Sequence, residues 1–347
     1  SPGSPTSLLV APSAPPSLPP LSPPSFPPPP PLTIAGVQSI CGTNCAECAA
    51  LDVSGLTDFH QLFKDQTTFN CDISGWDTSS VTRMSETFRN VDAFNQNLNG
   101  WNVEKVTTFD SMFYLNDGYN QPLNNWTLST AQDITMQRMF ESATVFNQPL
   151  NSWEVSHVTK FNNMFKNAIS FNQDLDQWDV SKGRSFRSMF ESPNSGAQMT
   201  FRGNITGWRP GKFASGNVDC MNMFKNFPWT GYSPNLNSWD VSNVKSFTSM
   251  FAQTSNSDFN LPLNGWVTSS ATNMMNMFSS SAFNQNINSW DVSSVNTMRG
   301  MFSDVYEYNQ PLNSWDTSSV TNMQSMFDCQ SDDGTFNQDI SSWDVSN

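Results

Sequence analysis

From about residue 59 the apolar positions return in blocks rather than alternating along the chain. Phe171-Asn172-Gln173-Asp174-Leu175-Asp176-Gln177-Trp178-Asp179-Val180-Ser181 is answered by Phe283-Asn284-Gln285-Asn286-Ile287-Asn288-Ser289-Trp290-Asp291-Val292-Ser293. Trp76, Trp101, Trp126, Trp153, Trp178, Trp208, Trp239, Trp266, Trp290, Trp315 and Trp343 set the register, mostly 24 to 28 residues apart, with steps of 30 and 31 around Trp208. Trp229 falls outside it. A period of this length marks a repeat architecture, because one unit cannot bury its Phe, Leu, Trp, Val and Met side chains without a neighbour. The two long units around Trp208 and Trp239 are expected to bulge as loops on one face.

After each Trp, residues such as Val320, Met323, Met326 and Phe327 recur at three- to four-residue steps. That period predicts a helix of about two turns. A serine three residues after Trp (Ser79, Ser129, Ser156, Ser181, Ser242, Ser269, Ser293 and Ser318) stands where its hydroxyl would cap that helix. The mixed spacing around Leu312 and Trp315 predicts a short strand and turn. The expected fold is an α/β repeat solenoid, leucine-rich-repeat-like, of about eleven coils of about 25 residues, each with a short strand and a short helix. Strand pairing at about 4.8 Å would make a rod of very roughly 50 Å.

Three regions follow. Residues 1–33 hold fourteen prolines, which predicts a polyproline II arm about 90 Å long at most, held along a surface. Residues 34–58 read as a Cys-containing N-terminal cap, and residues 59–347 as the repeats. No apolar run approaches the roughly 20 residues of a membrane span, and Leu8-Leu9-Val10 is too short for a signal-peptide core. The absence of an initiator Met reads as a processed or partial product. The last residues, Asp344-Val345-Ser346-Asn347, read as half a repeat without a polar cap.

Composition changes the picture mainly by exclusion. Charged residues make up 13% of the chain and the formal charge is -14, so the surface must be largely Ser, Thr, Asn and Gln. With no basic cluster, the chain would repel nucleic acid and anionic headgroups. Neither nucleic acid nor direct membrane insertion is expected.

Cys41, Cys45, Cys48 and Cys71 cluster near the start of the repeats. In a secreted chain two disulfides closing the first coil are preferred to zinc or redox chemistry, with three connectivities open. Cys220 and Cys329 lie about four coils, roughly 20 Å, apart, too far for a disulfide with each other. They are expected to be free or to pair between molecules. Asp77, Asp179, Asp240, Asp291, Asp316 and Asp344, with Glu154 once, follow the anchoring Trp. They are expected to accept backbone N–H groups at a turn rather than to bind Ca²⁺, and no other cofactor is implied. Asn70, Asn95, Asn120, Asn147, Asn172, Asn260, Asn284, Asn309 and Asn337 follow Phe or Tyr and suggest a ladder that satisfies backbone groups between coils. His60 and His157 are the only histidines, and neither a phosphate-binding Gly loop nor a nucleophile elbow is present, so no catalytic or metal residues are expected. Asn125-Trp126-Thr127 and Asn204-Ile205-Thr206 are N-glycosylation sequons, with Asn204 favoured by its irregular unit. Ser22, Pro23, Pro24, Ser25, Pro27, Pro28, Pro29, Pro30 and Pro31 are candidates for O-glycosylation or hydroxylation.

The pattern Phe-Asn-Gln-x-Leu-x-x-Trp-Asp-Val-Ser-x-Val-Thr-x-Met-x-x-Met-Phe resembles the BspA-type leucine-rich-repeat surface proteins, whose repeats are shared with mycoplasma lipoprotein-associated proteins. The resemblance covers about residues 59 to 347 and implies a repeat solenoid displayed outside the cell, without catalytic residues. Trp208 departs from it, being followed by Arg209-Pro210-Gly211 rather than Asp-Val-Ser. The Pro-rich arm instead resembles hydroxyproline-rich glycoproteins of plant and green-algal walls, and together the two suggest an algal wall or surface glycoprotein. The expected function is that of an extracellular structural glycoprotein, a subunit of a cell-surface or cell-wall filament assembled from copies of itself, head to tail, with covalently attached glycans. The alternative is a monomeric adhesin or a carbohydrate- or protein-binding module.

Overall fold

The structure, a computed structural model, describes residues 3, 32–254, 259–330 and 334–346. The expectations placed on the Pro-rich arm, including the modification candidates from Ser22 to Pro31, lie outside the described residues. So does Asn347.

Two short helices precede the repeats: α1, Ile34–Cys41, and α2, Cys45–Ala49. Each starts where a polar side chain satisfies an orphan N–H. Thr33 accepts from the Gly36 amide, and Asn44 accepts from the amides of Ala46 and Glu47. Disulfides join Cys41 to Cys48 and Cys45 to Cys71, which ties both helices together and α2 to the first repeat. Val37 and Cys48 are buried against that repeat, and Gln38 donates to the carbonyls of Gln61 and Leu62.

The repeats are joined by parallel pairing at one position per repeat. It runs from Asp58 through Arg83 and Thr108 to Thr135, which lies in β1 (Ile134–Thr135). From β1 it passes to β2 (Val158–Lys160), then Ser185, β3 (Val218–Asp219) and β4 (Val244–Ser246). Asn273, Thr297 and Asn322 complete it. The pairing therefore follows the Val-Thr stretch after each Trp, not the Leu312–Trp315 region, where Trp315 N–H closes a turn on the Leu312 carbonyl.

No α-helix forms in the Met-Phe stretch of any described repeat. In the repeat after Trp126, the amides of Met136, Arg138, Phe140 and Ser142 donate to the carbonyls of Lys160, Asn162, Met164 and Lys166 in the next repeat. The amides between them close turns three residues back: Met139 to Met136, Glu141 to Arg138 and Ala143 to Phe140. A helix would keep all of these bonds inside the segment. Left-handed residues make this path possible, with φ of 58° at Arg138 and 55° at Ser142, four residues apart. The same spacing recurs at Glu86 and Asn90, Asn163 and Asn167, and Asn222 and Asn226.

With no helix to cap, serines that follow an Asp act as donors, while Ser129 accepts from the Ala131 amide. The Ser79 amide donates to Asp77 Oδ1, and the same bond recurs at Asp179–Ser181, Asp240–Ser242, Asp291–Ser293 and Asp316–Ser318. Each Asp thus closes a local side-chain turn. This is the turn role expected of those carboxylates, without a helix after it.

Aromatic rows form the core. From Phe63 to Phe327 one ring per repeat stacks on the next, with centroids 5.5–6.0 Å apart. Every Trp of the register donates its indole N–H to a carbonyl of the preceding repeat or, for Trp76, of the cap. Trp76 reaches the Cys48 carbonyl, Trp153 that of Leu123, and Trp343 that of Leu312. Trp208 keeps its place, stacked on Trp178 and Trp239 and bonded to the Leu175 carbonyl, despite the Arg209-Pro210-Gly211 that follows it.

One left-handed position carries a residue poorly suited to it. Leu115 has a φ of 56° and is 38% exposed. Because left-handed backbone costs an ordinary L-residue about 1–2 kcal/mol and Asn adopts it readily, Leu115→Asn should raise stability by about 1 kcal/mol, measured by urea denaturation.

Candidate functional site

The surface carries three arrays of polar side chains that recur from repeat to repeat. The first is the Asn row. Asn70 Oδ1 accepts from the Asn95 amide, Asn95 from Asn120, Asn120 from Asn147, and Asn147 from Asn172. The following Gln reinforces it: Gln96, Gln148 and Gln173 donate to Asn70, Asn120 and Asn147. The row resumes at Asn260 and runs through Asn284 and Asn309 to Asn337. These amides satisfy backbone donors between repeats, as the sequence led us to expect. A shallow groove of about 680 Å³ runs beside them, lined by Asn264, Gln285, Asn286, Asn288, Ser289 and Ser314.

The second array is ionic. Lys64 and Arg89 both reach Glu86, at 2.8 and 2.7 Å. Arg89 and Arg138 lie over the ring of Tyr114, at 5.2 and 4.6 Å, and Arg138 pairs with Glu141 at 2.7 Å. Partial burial raises the Glu86 pKa, but hydrogen bonds from Lys64, Arg89 and Gln61 outweigh it and bring the carboxyl down to about 2. The network was overlooked in the sequence, although aligned blocks contain its trace. The residue after the Phe that closes this stretch (Thr87-Phe88 in one repeat, Met-Phe in the others) reads Arg89, Tyr114, Glu141, Lys166, Glu191 and Lys225 in successive repeats.

The third array is the Asp row. Asp77 is held below its ordinary 3.8 by the backbone N–H and hydroxyl of Ser79, and Asp316 likewise by the hydroxyl and backbone N–H of Ser318. The sign follows from linkage. Carboxyls depressed in the folded state contribute stability that is fully present above their unfolded pKa and is lost as pH falls through the folded value. For Glu86 that window runs from 4.5 down to about 2. Thermal stability should therefore hold from pH 7 to about 5 and fall below about 4.5. Glu86→Gln should lose about 1 kcal/mol at pH 7 and flatten part of the acid-side fall, as followed by melting at stepped pH.

Both sequon asparagines are exposed. Asn204 Oδ1 accepts from the Thr206 amide, so its side chain is fixed in a turn, while the Asn125 backbone amide is held by Asn99 Oδ1. Cys220 and Cys329 are unpaired. Cys220 is 1% exposed and occupies the inward place between Phe186 and Phe247, where burial pushes its thiol pKa up. Pairing between molecules is thus unavailable to Cys220 in the folded chain. Cys329 is half-buried, and burial together with Asp304 raises its pKa. Among the described residues, no three His, Cys, Asp or Glu side chains come together to hold a metal ion, and no helix is long and apolar enough to cross a membrane. His60 contacts the Ser85 carbonyl and His157 the Ser156 hydroxyl, in separate repeats.

The regularity breaks after Trp208. Arg209 stands where Asp77, Asp179 and Asp240 stand in their repeats, and Phe213 projects into solvent at 68% exposure. The loop adjoins a cavity of about 240 Å³.

One position of pairing per repeat, stacked aromatic rows and matched amide rows together define a repeat protein. Residues 37–136, 132–227, 195–305 and 280–347 match the family model described as Mycoplasma protein of unknown function, DUF285, and the chain belongs to that family. No curated protein and no solved structure matches the chain.

Proposed function

We propose that this chain is an extracellular structural glycoprotein of a cell surface or wall, a solenoid of about eleven coils that acts as a filament subunit. The observation that carries this reading is the use made of its polar side chains. Asn70 to Asn172 and the Lys64–Glu86 and Arg89–Tyr114–Arg138 contacts bind repeat to repeat, Asp77 to Asp316 close turns within each repeat, and none of these brings reactive groups together. That is the chemistry of a scaffold. A parallel ladder has no intrinsic last rung, which suits heterologous contacts that grow rather than close.

The disulfides suit an oxidising compartment. The resemblance to BspA-type surface proteins, the exposed sequon at Asn204 and the Pro-rich composition of residues 1–33 support display outside the cell. In head-to-tail growth each subunit would offer the outer face of α1 and α2 as one contact surface. Cys329, half-buried, is the thiol placed to link subunits, and Cys220 serves packing.

Electron microscopy with sedimentation of the oxidised full chain tests the reading. Fibres that lengthen with protein concentration are expected. Dispersed monomers at every concentration would overturn the filament, and specific glycan or protein capture by those monomers would favour an adhesin.

A further inference from the structure

We propose that the interrupted repeat after Trp208 carries a binding subsite for a neutral pyranose ring, with Phe213 as its stacking face and Gln177, Asp179 and Arg209 as its polar rim. The subsite gives the binding alternative a place on the chain and stands whether or not the chain polymerises.

The starting point is an exposed phenyl ring held on a fixed support. The Phe residues of the stacked row from Phe63 to Phe302 are buried and Phe327 is half-buried, whereas Phe213 is 68% exposed. Its backbone is nevertheless anchored. The Phe213 amide donates to the Ser181 carbonyl at 2.8 Å, and Asn243 Nδ2 donates to the carbonyls of Gly211 and Lys212 at 3.2 and 2.8 Å. Lys212 pairs with Asp240 at 3.0 Å. Gly211 has a φ of 70°, and a Cβ there would meet the Val218 side chain. The loop is built to one conformation, so little ordering entropy would be lost on binding.

Beside the ring lies the cavity of about 240 Å³, walled by Gln177, Asp179, Gly207, Arg209 and Phe213. It is smaller than the roughly 300–1,000 Å³ of drug-sized sites and suits a single ring. Asp179 Oδ1 is taken by the Ser181 amide, while Oδ2 and the Arg209 guanidinium have no hydrogen-bond or ion-pair partner among the described residues. A sugar ring matches this division. Its axial C–H groups form an apolar face for Phe213, and its hydroxyl edge both donates to a carboxylate and accepts from a guanidinium. Lys212 Nζ also lies 5.8 Å from the Phe213 ring centroid and is paired with Asp240, so two cations stand with two anions around the ring; that balance favours a neutral sugar, and the chain's charge of -14 disfavours a polyanion.

The test uses the oxidised full chain and cellohexaose, whose all-equatorial glucose rings present flat C–H faces. Saturation-transfer NMR and calorimetric titration should show saturable binding, with saturation strongest on the C–H protons of one ring face. Phe213→Ala should weaken binding about tenfold and Phe213→Trp should retain it. Because the ring is exposed, both variants should melt with wild type. Arg209→Ala should weaken binding several-fold. No saturable binding, or equal binding by Phe213→Ala, would overturn the subsite. Tighter binding of polygalacturonate, lost in Arg209→Ala but not in Phe213→Ala, would overturn the neutral stacking mode. Neither readout depends on fibre formation, so failure of the subsite and failure of the filament are distinguishable.

Discussion

Trp153→Ala should destabilise the chain by about 3–5 kcal/mol, measured by denaturant unfolding. Trp153 is 2% exposed and stacks between Trp126 and Trp178, with centroids at 5.9 and 6.5 Å. Its loss opens a cavity between two rings that cannot close on each other, since the backbone ladder fixes the repeat spacing. It also removes one of the two hydrogen bonds on the Leu123 carbonyl, which accepts the indole N–H at 2.9 Å and the Trp126 amide at 3.1 Å. Trp153→Phe separates the two contributions. It keeps much of the ring and loses the donor, and should cost about 1–3 kcal/mol. In a repeat protein each unit is coupled to its neighbours, so the alanine variant should also lose cooperativity, unfolding in two phases about the altered repeat.

The second large effect belongs to the cap. Cys45→Ala with Cys71→Ala removes a bridge between residues 26 apart in sequence, for which loop closure gives about 3.5 kcal/mol. The loss should be local. Amide exchange should rise across α1, α2 and the first repeat, while Met136 to Ala143 stay protected by their bonds to the following repeat. Equal exchange throughout would mean that the cap and the distant repeats open as one unit.

The repeat and its anchors could be read before the fold was known, because Trp and Asn do work that only their own groups can do. An indole N–H that must reach a carbonyl one repeat back, and an amide that must accept one backbone N–H and stand beside a Gln, tolerate few substitutes. Hence Trp76 to Trp343 and Asn70 to Asn337 announce the register. The helix was a misreading with a specific cause. Val320, Met323, Met326 and Phe327 turn inward at three- to four-residue steps, the spacing that also marks a helical face. A succession of turns with a left-handed residue every fourth position returns side chains to the core at that same interval. A partial trace lay in the intervening residues: Asp65, Asn90, Asn163, Asn167, Asn222, Asn226, Asn276, Gly300 and Asp304 hold positive φ and are types that tolerate it, but Gln61, Glu86, Leu115, Arg138 and several serines share that conformation.

The irregular units were less legible because their departures compensate one another in space. Cys220 stands where neighbouring repeats place Phe, and Trp229, outside the register, packs on Phe224, Phe251 and Phe259. Nothing in the local sequence says which cavity an extra Trp fills. Arg209 and Phe213 are likewise ordinary residues until the Ser181 and Asn243 contacts fix the loop that carries them.

Backbone NMR assignment of the Met-Phe stretches tests the central claim, that the chain is a stack tied by pairing between repeats. Across Met136–Ala143 and Val320–Phe327 the account predicts no continuous run of helical Cα shifts, left-handed signatures at Arg138, Ser142 and Ser325, and hydrogen-bond couplings from the Arg138 and Phe140 amides to the carbonyls of Asn162 and Met164. Unbroken helical shifts through either stretch, with couplings confined to residues four apart, would contradict it.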